Sequence, residues 1–307
     1  MKERTPPLYE MTVSQARTAD LASQRRLAAP PEPVAHIGER TIPGPGGDLT
    51  IRLYYPGGPG PLPTLLYFFG GGWTLGSVDT ADAICRRLTN AAGCLTVCVG
   101  YRLAPEHKFP AAVEDCHAAA GWVARHFADI DADPTRLVVG GDSAGGNLAA
   151  AVSLRARDAG EPSLIGQLLV YPNTDFGADT PSMRENTDPY FFNQTSVRWY
   201  WQHYLRRPED GADPLASPLR ASDHRALPPA LVLTAEHDPI RDEGEQYARV
   251  LSQAGVRVES TRYQGMVHGF FAMSGAVDAA RDALEQAAAW LRARWSESEV
   301  LGRVGHR

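Results

Sequence analysis

A serine flanked by glycines lies near the middle of the chain, where a strand-like run meets a helix-like run. The segment 141–145 reads G-D-S-A-G, between the apolar run RLVVGG and the alanine-rich run NLAAAV. A tight strand-to-helix turn strains its central residue and exposes the side chain, as a nucleophile requires. The pentapeptide alone also arises by chance in a glycine-rich chain. Its flanking strand and helix are what make Ser143 the leading candidate for a nucleophile.

The partners of such a serine are predicted after later strands. A serine hydroxyl is a weak nucleophile and needs a general base, which a third group orients. In this arrangement the chain order is Ser, then Asp or Glu, then His. His268 follows the last strand-like run, in YQGMVHGF, and Asp238 follows the preceding one. We therefore predict Asp238 as the orienting acid and His268 as the base.

Other titratable residues compete with Asp238 in the same segment. Glu236, Asp242 and Glu243 are close in sequence, and DPIRDEGEQYA also reads as an ordinary helix start with acids in its first turn. Asp238 itself precedes a proline, where it could act only as a helix N-cap. His237 also follows this strand. The chain order favours Asp238 with His268, and no H-E-x-x-H or paired Cys/His pattern indicates a metal.

Three glycines follow another apolar run, in YFFGGGWTLG. Acyl transfer needs backbone N–H groups aimed at the developing oxyanion. Glycines allow such amides to face a reacting carbonyl without obstruction, because they have no Cβ atom. One further donor is expected from Ala144, the residue after the nucleophile. We interpret the loop 70–72 as the other source of oxyanion donors.

The elements that must hold these residues alternate between strand and helix from about residue 64 onward. Most strand-like runs are too uniformly apolar to have a face in water, which indicates a buried parallel sheet. The alternation predicts an α/β fold with helices on both faces. Predicted strands span 63–70, 94–101, 136–141, 165–172, 229–236 and 256–263, after a hairpin-like edge at 39–56. Predicted helices span 79–92, 109–128, 144–158, 240–254 and 274–296.

Two segments do not fit the alternation. Residues 1–38 are typical of an amphipathic helical segment closed by prolines, and 176–226 insert a polar loop and an aromatic helix between two strands. An insertion at the carboxyl edge of a parallel sheet is well placed to cover a site there. We therefore expect both to form a cap over a single core of 39–175 and 227–300. A surface embellishment is the alternative for the insertion.

The bulk composition excludes several classes of function. The 307 residues carry a net charge of −6, which argues against a nucleic-acid or anionic-membrane partner. The N-terminus has no apolar segment typical of a signal peptide, and no apolar run is long enough to span a membrane. The four cysteines show no paired CxxC spacing, and Cys94 and Cys98 lie in an apolar run, where buried free thiols are the favoured interpretation. We expect a cytoplasmic protein with a small-molecule partner, and a homodimer is left open.

Five ordered blocks of the sequence resemble one known family. They are FGGGWTLGS, YRLAPEHKFPAAVEDC, GDSAGGNLAA, DPIRDEGEQYA and GMVHGF. They resemble the bacterial hormone-sensitive-lipase family of α/β-hydrolase esterases (family IV), over about residues 62–296. The resemblance implies an α/β-hydrolase fold with a mostly parallel sheet, helices on both faces and a helical cap, and no cofactor.

The resemblance also assigns site residues. It implies a catalytic triad of Ser143, Asp238 and His268, and the assigned oxyanion donors are the N–H groups of Gly71, Gly72 and Ala144. There is one departure: Phe69 stands where the family normally has histidine, and phenylalanine cannot form hydrogen bonds with its side chain. Either Phe69 holds the glycine loop by packing, or the oxyanion hole is looser and hydrolysis is weakened. The first interpretation is favoured because the donors are backbone groups.

The function implied is hydrolysis of carboxylic esters with short to medium acyl chains. Trp73 and four aromatic residues of the insertion suit an apolar substrate pocket, although core packing explains the four equally well. They are Tyr190, Phe191, Phe192 and Trp199. A deacetylase or amidase acting on a specialised metabolite would use the same triad, and a dehydratase could use the same fold. A non-catalytic ligand receptor is less expected, because such receptors have lost a triad member.

Overall fold

One eight-stranded sheet forms the centre of the protein. The computed structural model describes residues 6–189 and 191–304, so Tyr190 of the predicted pocket lies outside the described residues. In chain order the strands are β1 (His36–Gly44), β2 (Gly47–Tyr55), β3 (Leu62–Phe68), β4 (Leu95–Gly100), β5 (Ala132–Asp142), β6 (Gly166–Val170), β7 (Ala230–His237) and β8 (Val258–Val267).

The sheet is mostly parallel, as predicted. Its strand order is β1-β2-β4-β3-β5-β6-β7-β8. Strand β2 is antiparallel to both β1 and β4, and every pair from β4 to β8 is parallel. The carboxyl ends of the parallel strands therefore meet at one edge of the sheet, where the loops after β3, β5, β7 and β8 can lie close together.

Helices cover both faces of this sheet, which confirms the predicted α/β-hydrolase architecture. Helix α2 packs against α8, and α3 packs against α4. The helices are α1 (Val13–Leu27), α2 (Asp82–Ala92), α3 (Ala111–Arg125), α4 (Ala144–Ala159), α5 (Pro181–Glu185), α6 (Gln194–Tyr204), α7 (Arg241–Gln253) and α8 (Asp278–Val304).

Several predicted boundaries differ from the structure, including the start of β5 at Ala132 rather than residue 136 and the span of α8, Asp278–Val304 rather than 274–296. Strand β1 begins at His36, within the segment 1–38 that the sequence predicted to be helical, because the prolines end the helical pattern well before that segment ends. Strand β8 continues to Val267 rather than ending at residue 263. It pairs with β7 again at Val267 after an irregularity, where Gln264 and Gly265 interrupt the apolar pattern. The extension carries the chain to His268.

Helix α1 is fixed to the core by one arginine. The guanidinium of Arg17 donates to the carbonyls of Thr74 and Ala104, at 2.9 and 3.0 Å, and pairs with the carboxylate of Glu106 at 2.7 Å. Thr12 begins the helix, and its hydroxyl accepts from the N–H of Gln15 as part of a capping box. These contacts hold α1 beside the loop that follows β3.

The described residues also bear on the composition-based predictions. The four cysteines are free and buried, which confirms the interpretation of Cys94 and Cys98. Within 6–189 and 191–304, no helix combines the length and apolar character that crossing a bilayer requires. No group of three or more His, Cys, Asp or Glu side chains in the same residues could hold a metal ion.

Candidate active site

Ser143 lies on a strained turn between β5 and α4. Its backbone has φ +56° and ψ −119°, a conformation that residues with a Cβ atom rarely adopt. The turn is pressed against the end of β3: a Cβ atom on Gly141 would lie 2.3 Å from the Phe68 carbonyl oxygen, and one on Gly145 only 1.9 Å from it. Both glycines of the pentapeptide are therefore required by packing, and the turn presents the serine at the sheet edge.

The structure brings Ser143, His268 and Asp238 together. The Nε2 atom of His268 lies 2.9 Å from the Ser143 hydroxyl, and its Nδ1 atom lies 2.7 Å from Oδ2 of Asp238. With a proton on Nδ1, the imidazole donates to the carboxylate and Nε2 can accept the serine proton. The sequence separations of 125 and 30 residues are closed by the parallel sheet, which places all three loops at one edge.

Asp238 is buried and held as an acceptor. Its Oδ1 atom accepts from the N–H of Ile240 at 2.9 Å, which leaves Oδ2 for His268. Two of the competing carboxylates are engaged elsewhere: Asp242 accepts from the N–H of Ser182, and Glu243 accepts from the N–H of Thr174.

The two residues on the amino-terminal side of Asp238 are also directed away from Ser143. Glu236 accepts from the N–H of Gly265 at 2.6 Å. The side chain of His237 is exposed and lies 3.8 Å from that of Glu236. Among the candidates in this segment, the geometry joins only Asp238 to the described Ser143–His268 pair.

The glycine loop has a backbone that only glycine adopts readily. Gly71 has φ +118° and Gly72 has φ +58°. No backbone carbonyl among the described residues accepts from the N–H of either glycine. The N–H of Ala144 is one of the first in α4, which have no partner within the helix. Three donors at the oxyanion positions assigned by resemblance are therefore available.

Asp142 fixes this loop relative to the nucleophile, a role that the sequence did not reveal. Its Oδ1 atom accepts from the N–H of Gly70 at 3.0 Å and from the hydroxyl of Tyr67 at 2.7 Å. Burial raises the pKa of the Asp142 carboxyl, while the two hydrogen bonds and the nearby His268 lower it. Because Asp142 adjoins Ser143, the serine turn and the glycine loop are joined by a side chain rather than by the sheet alone.

Phe69 is held by an aromatic neighbour. Its ring stacks on Tyr101, with centroids 4.2 Å apart and planes inclined by 17°. The Tyr101 hydroxyl donates to the Phe69 carbonyl oxygen at 2.7 Å. The ring also abuts Gly76, where a Cβ atom would lie 2.7 Å from it. Packing and one backbone hydrogen bond thus fix the residue that enters the glycine loop.

Trp73 is placed differently from the sequence expectation. The side chain is fully buried and stacks on Tyr204, with centroids 4.1 Å apart and planes inclined by 5°, and it contacts Trp201 at 4.6 Å. Trp73 is absent from the described lining of the cavity at Ser143. An indole in van der Waals contact with two rings of α6 fixes that helix against the glycine loop, a packing role in place of the pocket role expected.

The cavity at Ser143 has two parts, which we call the inner arm and the outer arm. The inner arm has a volume of about 120 Å³ and contains Ser143 and the glycine loop, and the outer arm has a volume of about 380 Å³ and runs beneath α1. The residues that line the inner arm alone are 69–72, 80, 81, 84, 142, 143, 171 and 272. The arms share Asp20, Gln24, Phe192, Tyr200, His268 and Gly269.

Two aromatic rings from the insertion divide the arms. The Phe192 ring stacks on His268, with centroids 4.2 Å apart. The Tyr200 ring lies directly over Gly72, where a Cβ atom would be only 1.9 Å from it. The two rings are 6.1 Å apart. Aromatic content alone does not reveal this role, because Trp199 in the same segment packs in a separate cluster with Ala16 and Leu75.

Comparison with known proteins agrees with this fold. The model of a family described as the alpha/beta hydrolase fold matches residues 65–272. The chain is 43% identical over 269 residues to the carboxylic ester hydrolase LipN of Mycobacterium tuberculosis, covering 85% of this chain and 72% of that protein. It is 40% identical over 283 residues to the carboxylesterase NlhH of the same organism, covering 88% and 87%.

A solved structure is also similar over most of its length. The hyperthermophilic esterase from the archaeon Pyrobaculum calidifontis superposes with a TM-score of 0.90 at 43% identity, covering 93% of this chain and 92% of that one. The protein is therefore an α/β hydrolase. Within that class, the chain belongs to the bacterial hormone-sensitive-lipase family (family IV) of esterases.

Proposed function

We propose that this protein hydrolyses carboxylic esters of short to medium acyl chains, with Ser143 as nucleophile, His268 as general base and acid, and Asp238 as the orienting acid. The observation that carries the proposal is the continuous hydrogen-bond chain from the Ser143 hydroxyl through His268 to Asp238, at 2.9 and 2.7 Å. Relatives named carboxylic ester hydrolase and carboxylesterase support the same class of reaction.

Acylation begins when the Ser143 oxygen attacks the acyl carbon. Its proton passes to Nε2 of His268, and the carbonyl oxygen becomes an oxyanion. The N–H groups of Gly71, Gly72 and Ala144 are the proposed donors to that oxyanion, and such donors stabilise the transition state more than the ground state. The bond to the alcohol oxygen then breaks, and Nε2 returns its proton to that oxygen as the alcohol leaves.

Deacylation repeats the sequence with water. His268 accepts a proton from a water molecule, whose oxygen attacks the acyl carbon of the acyl-enzyme. The second tetrahedral intermediate collapses, Nε2 returns the proton to the Ser143 oxygen, and the carboxylic acid is released. Asp238 stabilises the imidazolium in both steps through the Nδ1 proton, because its carboxylate is buried and accepts at 2.7 Å.

The cavity dimensions support a short chain on one side of the ester. The inner arm, at about 120 Å³, is a small cavity. The outer arm is about three times larger and receives the other substituent. The inner arm therefore limits the length of whichever group enters it.

A series of p-nitrophenyl esters tests the proposal. We expect acetate and butyrate to be hydrolysed rapidly and palmitate slowly, and Ser143→Ala to lose at least about 10³-fold in kcat. The exposed Ser163, outside the described cavity lining, provides a matched control: Ser163→Ala should retain full activity. Undiminished turnover by Ser143→Ala would refute the mechanism.

A further inference from the structure

A carboxylate from helix α1 faces the inner arm. Asp20 lines the inner arm together with Ser143 and the glycine loop. Its direction follows from the helix: Ala16 and Gln24 lie one turn before and one turn after Asp20, and residues four apart share a helix face. Ala16 is buried against Leu75 and Trp199, and Gln24 lines both arms, so the face that carries Asp20 is turned towards the catalytic cleft.

The position of Asp20 is fixed from within its own helix. Arg17, three residues earlier, donates to the carbonyls of Thr74 and Ala104 and pairs with Glu106. These three partners come from loops of the core, so α1 cannot rotate about its axis without breaking them. Asp20 is therefore held over the inner arm by the core, and its place there does not depend on a flexible side chain.

The partners of Asp20 are neutral. Its Oδ1 atom accepts from Nε2 of Gln24 at 3.5 Å, and the nearby backbone N–H of Gly76 favours the charged form. No Lys or Arg forms an ion pair with it among the described residues. A part-buried carboxylate without a cation is costly to hold in a protein. A hydrogen-bond donor that enters the inner arm offsets this cost.

The nearby carboxylate of Asp142 adds to the cost of an ionised Asp20. Asp142 lines the same arm, and its Oδ1 atom is already occupied by Tyr67 and Gly70. Burial, and next to it the charge of Asp142, raises the pKa of Asp20 from its ordinary value of 3.8 to about 6. Above that pH the Asp20 carboxylate is predominantly ionised, and the inner arm favours donors and cations over anions.

We propose that Asp20 is a specificity-determining residue that selects esters whose substituent in the inner arm carries a hydroxyl or ammonium group. The selection rests on the ester hydrolysis proposed above, because the substituent enters the inner arm only when the acyl carbon lies at Ser143. The hydroxyl or ammonium group donates a hydrogen bond to the Asp20 carboxylate within this small arm. A plain alkyl group in the same place leaves the carboxylate uncompensated, and a carboxylate-bearing group is repelled.

Esters of equal size separate this selection from chain length. Ethyl butanoate, ethyl β-hydroxypropanoate and β-alanine ethyl ester differ only in a terminal methyl, hydroxyl or ammonium group. Propyl acetate and ethylene glycol monoacetate form the corresponding pair on the alcohol side. We expect the wild-type kcat/KM to favour the donor-bearing ester by about 10-fold or more in at least one series, the gain typical of a hydrogen bond to a charged group.

Two substitutions distinguish a neutral hydrogen bond from an effect of charge. Asp20→Leu should abolish the preference for both the hydroxyl-bearing and the ammonium-bearing esters. Asp20→Asn keeps an acceptor oxygen but no charge, so it should retain part of the hydroxyl preference and lose the ammonium preference. Asp48→Asn changes an exposed aspartate near the start of strand β2 and should leave all ratios unchanged. A merely structural role of Asp20 would lower kcat/KM for every ester by the same factor and leave the ratios intact.

The outcome is separable from that of the proposed function. Hydrolysis of p-nitrophenyl acetate that is lost in Ser143→Ala establishes the function, whatever the Asp20 variants do. Binding of the paired esters to Ser143→Ala, measured by calorimetry, reports the preference without turnover, and Asp20→Leu in that background should erase it. Two results would overturn the assignment of Asp20. One is an equal wild-type kcat/KM for the methyl, hydroxyl and ammonium esters in both series, and the other is a preference that persists in Asp20→Leu.

Discussion

The two sides of the catalytic cleft are held by different kinds of contact. On one side, which we call the floor, Ser143, His268, Asp238 and the loop 70–72 are fixed by directional hydrogen bonds of 2.7 to 3.0 Å. On the other side, the roof, Phe192 and Tyr200 touch the floor through ring faces.

This difference separates chemistry from selection. Hydrogen bonds fail when donor and acceptor move by a few tenths of an ångström or lose their angle, so the floor tolerates little change. Ring contacts are broad and individually weak, and a smaller side chain leaves space rather than a broken network. We infer that substitutions in the floor change the rate for every substrate, whereas substitutions in the roof change which substrate is preferred.

The largest expected effect is at the acid of the floor. Asp238→Asn keeps the shape of the side chain but removes the charge and favours the wrong imidazole tautomer, so kcat should fall by about 10³–10⁴-fold. The loss should be similar for acetate and butyrate esters.

Asp242→Asn is the matched control, because this nearby carboxylate accepts from Ser182 instead of His268. It should keep kcat within a few-fold of wild type. A loss at Asp242 equal to that at Asp238 would show that the floor is not organised around a single acid.

The second prediction concerns the division between the two arms. Phe192→Ala should join the inner and outer arms and raise the ratio of octanoate to acetate hydrolysis by about tenfold, since pocket contacts of methylene size discriminate by that order. Phe127→Ala is the control, because this exposed side chain lies outside the described lining of both arms. An unchanged ratio in Phe192→Ala, or an equal change in Phe127→Ala, would contradict a selective role of the roof.

A smaller effect is expected at Phe69, which stands where the family normally has histidine. Phe69→His should leave kcat within about tenfold of wild type, because stacking on Tyr101 and the hydrogen bond to the Phe69 carbonyl already hold the loop. Tyr101→Phe, which removes only the hydroxyl, tests the second contact separately. A gain of several orders of magnitude in Phe69→His would mean that the natural oxyanion hole is impaired.

The smallest effect is a pH-dependent change in stability at Asp20. Its pKa is raised to about 6 in the folded protein, above its ordinary value of 3.8. The folded chain therefore binds this proton more tightly, and the free energy of unfolding falls as the pH rises from about 4 to about 6 and stays lower above. Asp20→Asn removes that cost.

Thermal unfolding measures this difference. Asp20→Asn should raise Tm by a few degrees at about pH 8, and the gain should shrink towards about pH 4, where the wild-type carboxyl is protonated. Asp48→Asn, near the start of strand β2, should show no such pH dependence. An Asp20→Asn gain that is the same at both pH values would contradict ionisation of the buried Asp20 carboxyl as its cause.

The sequence predicted the floor more fully than the roof, and the reason is physical. Ser143 and His268 stand at strand ends beside glycines, so local turn chemistry and chain order were enough to single them out. Asp20 reads as an ordinary polar residue of an amphipathic helix, since only the docking of α1 through Arg17 turns it into the cleft. The packing of Trp73 is not predictable from the sequence either, because its partners Trp201 and Tyr204 are distant from it along the chain.

The contact between Tyr200 and Gly72 has a consequence for how this cap can be exchanged. The ring occupies the space of the missing Cβ atom, 1.9 Å from where it would stand. Helix α6 is therefore not an interchangeable module that can be transplanted between relatives to alter their substrates. A graft that brings a different side chain to position 200 leaves a gap above Gly72 or presses on it. The pair must be transferred together, so directed evolution of this cap should sample both positions in one library.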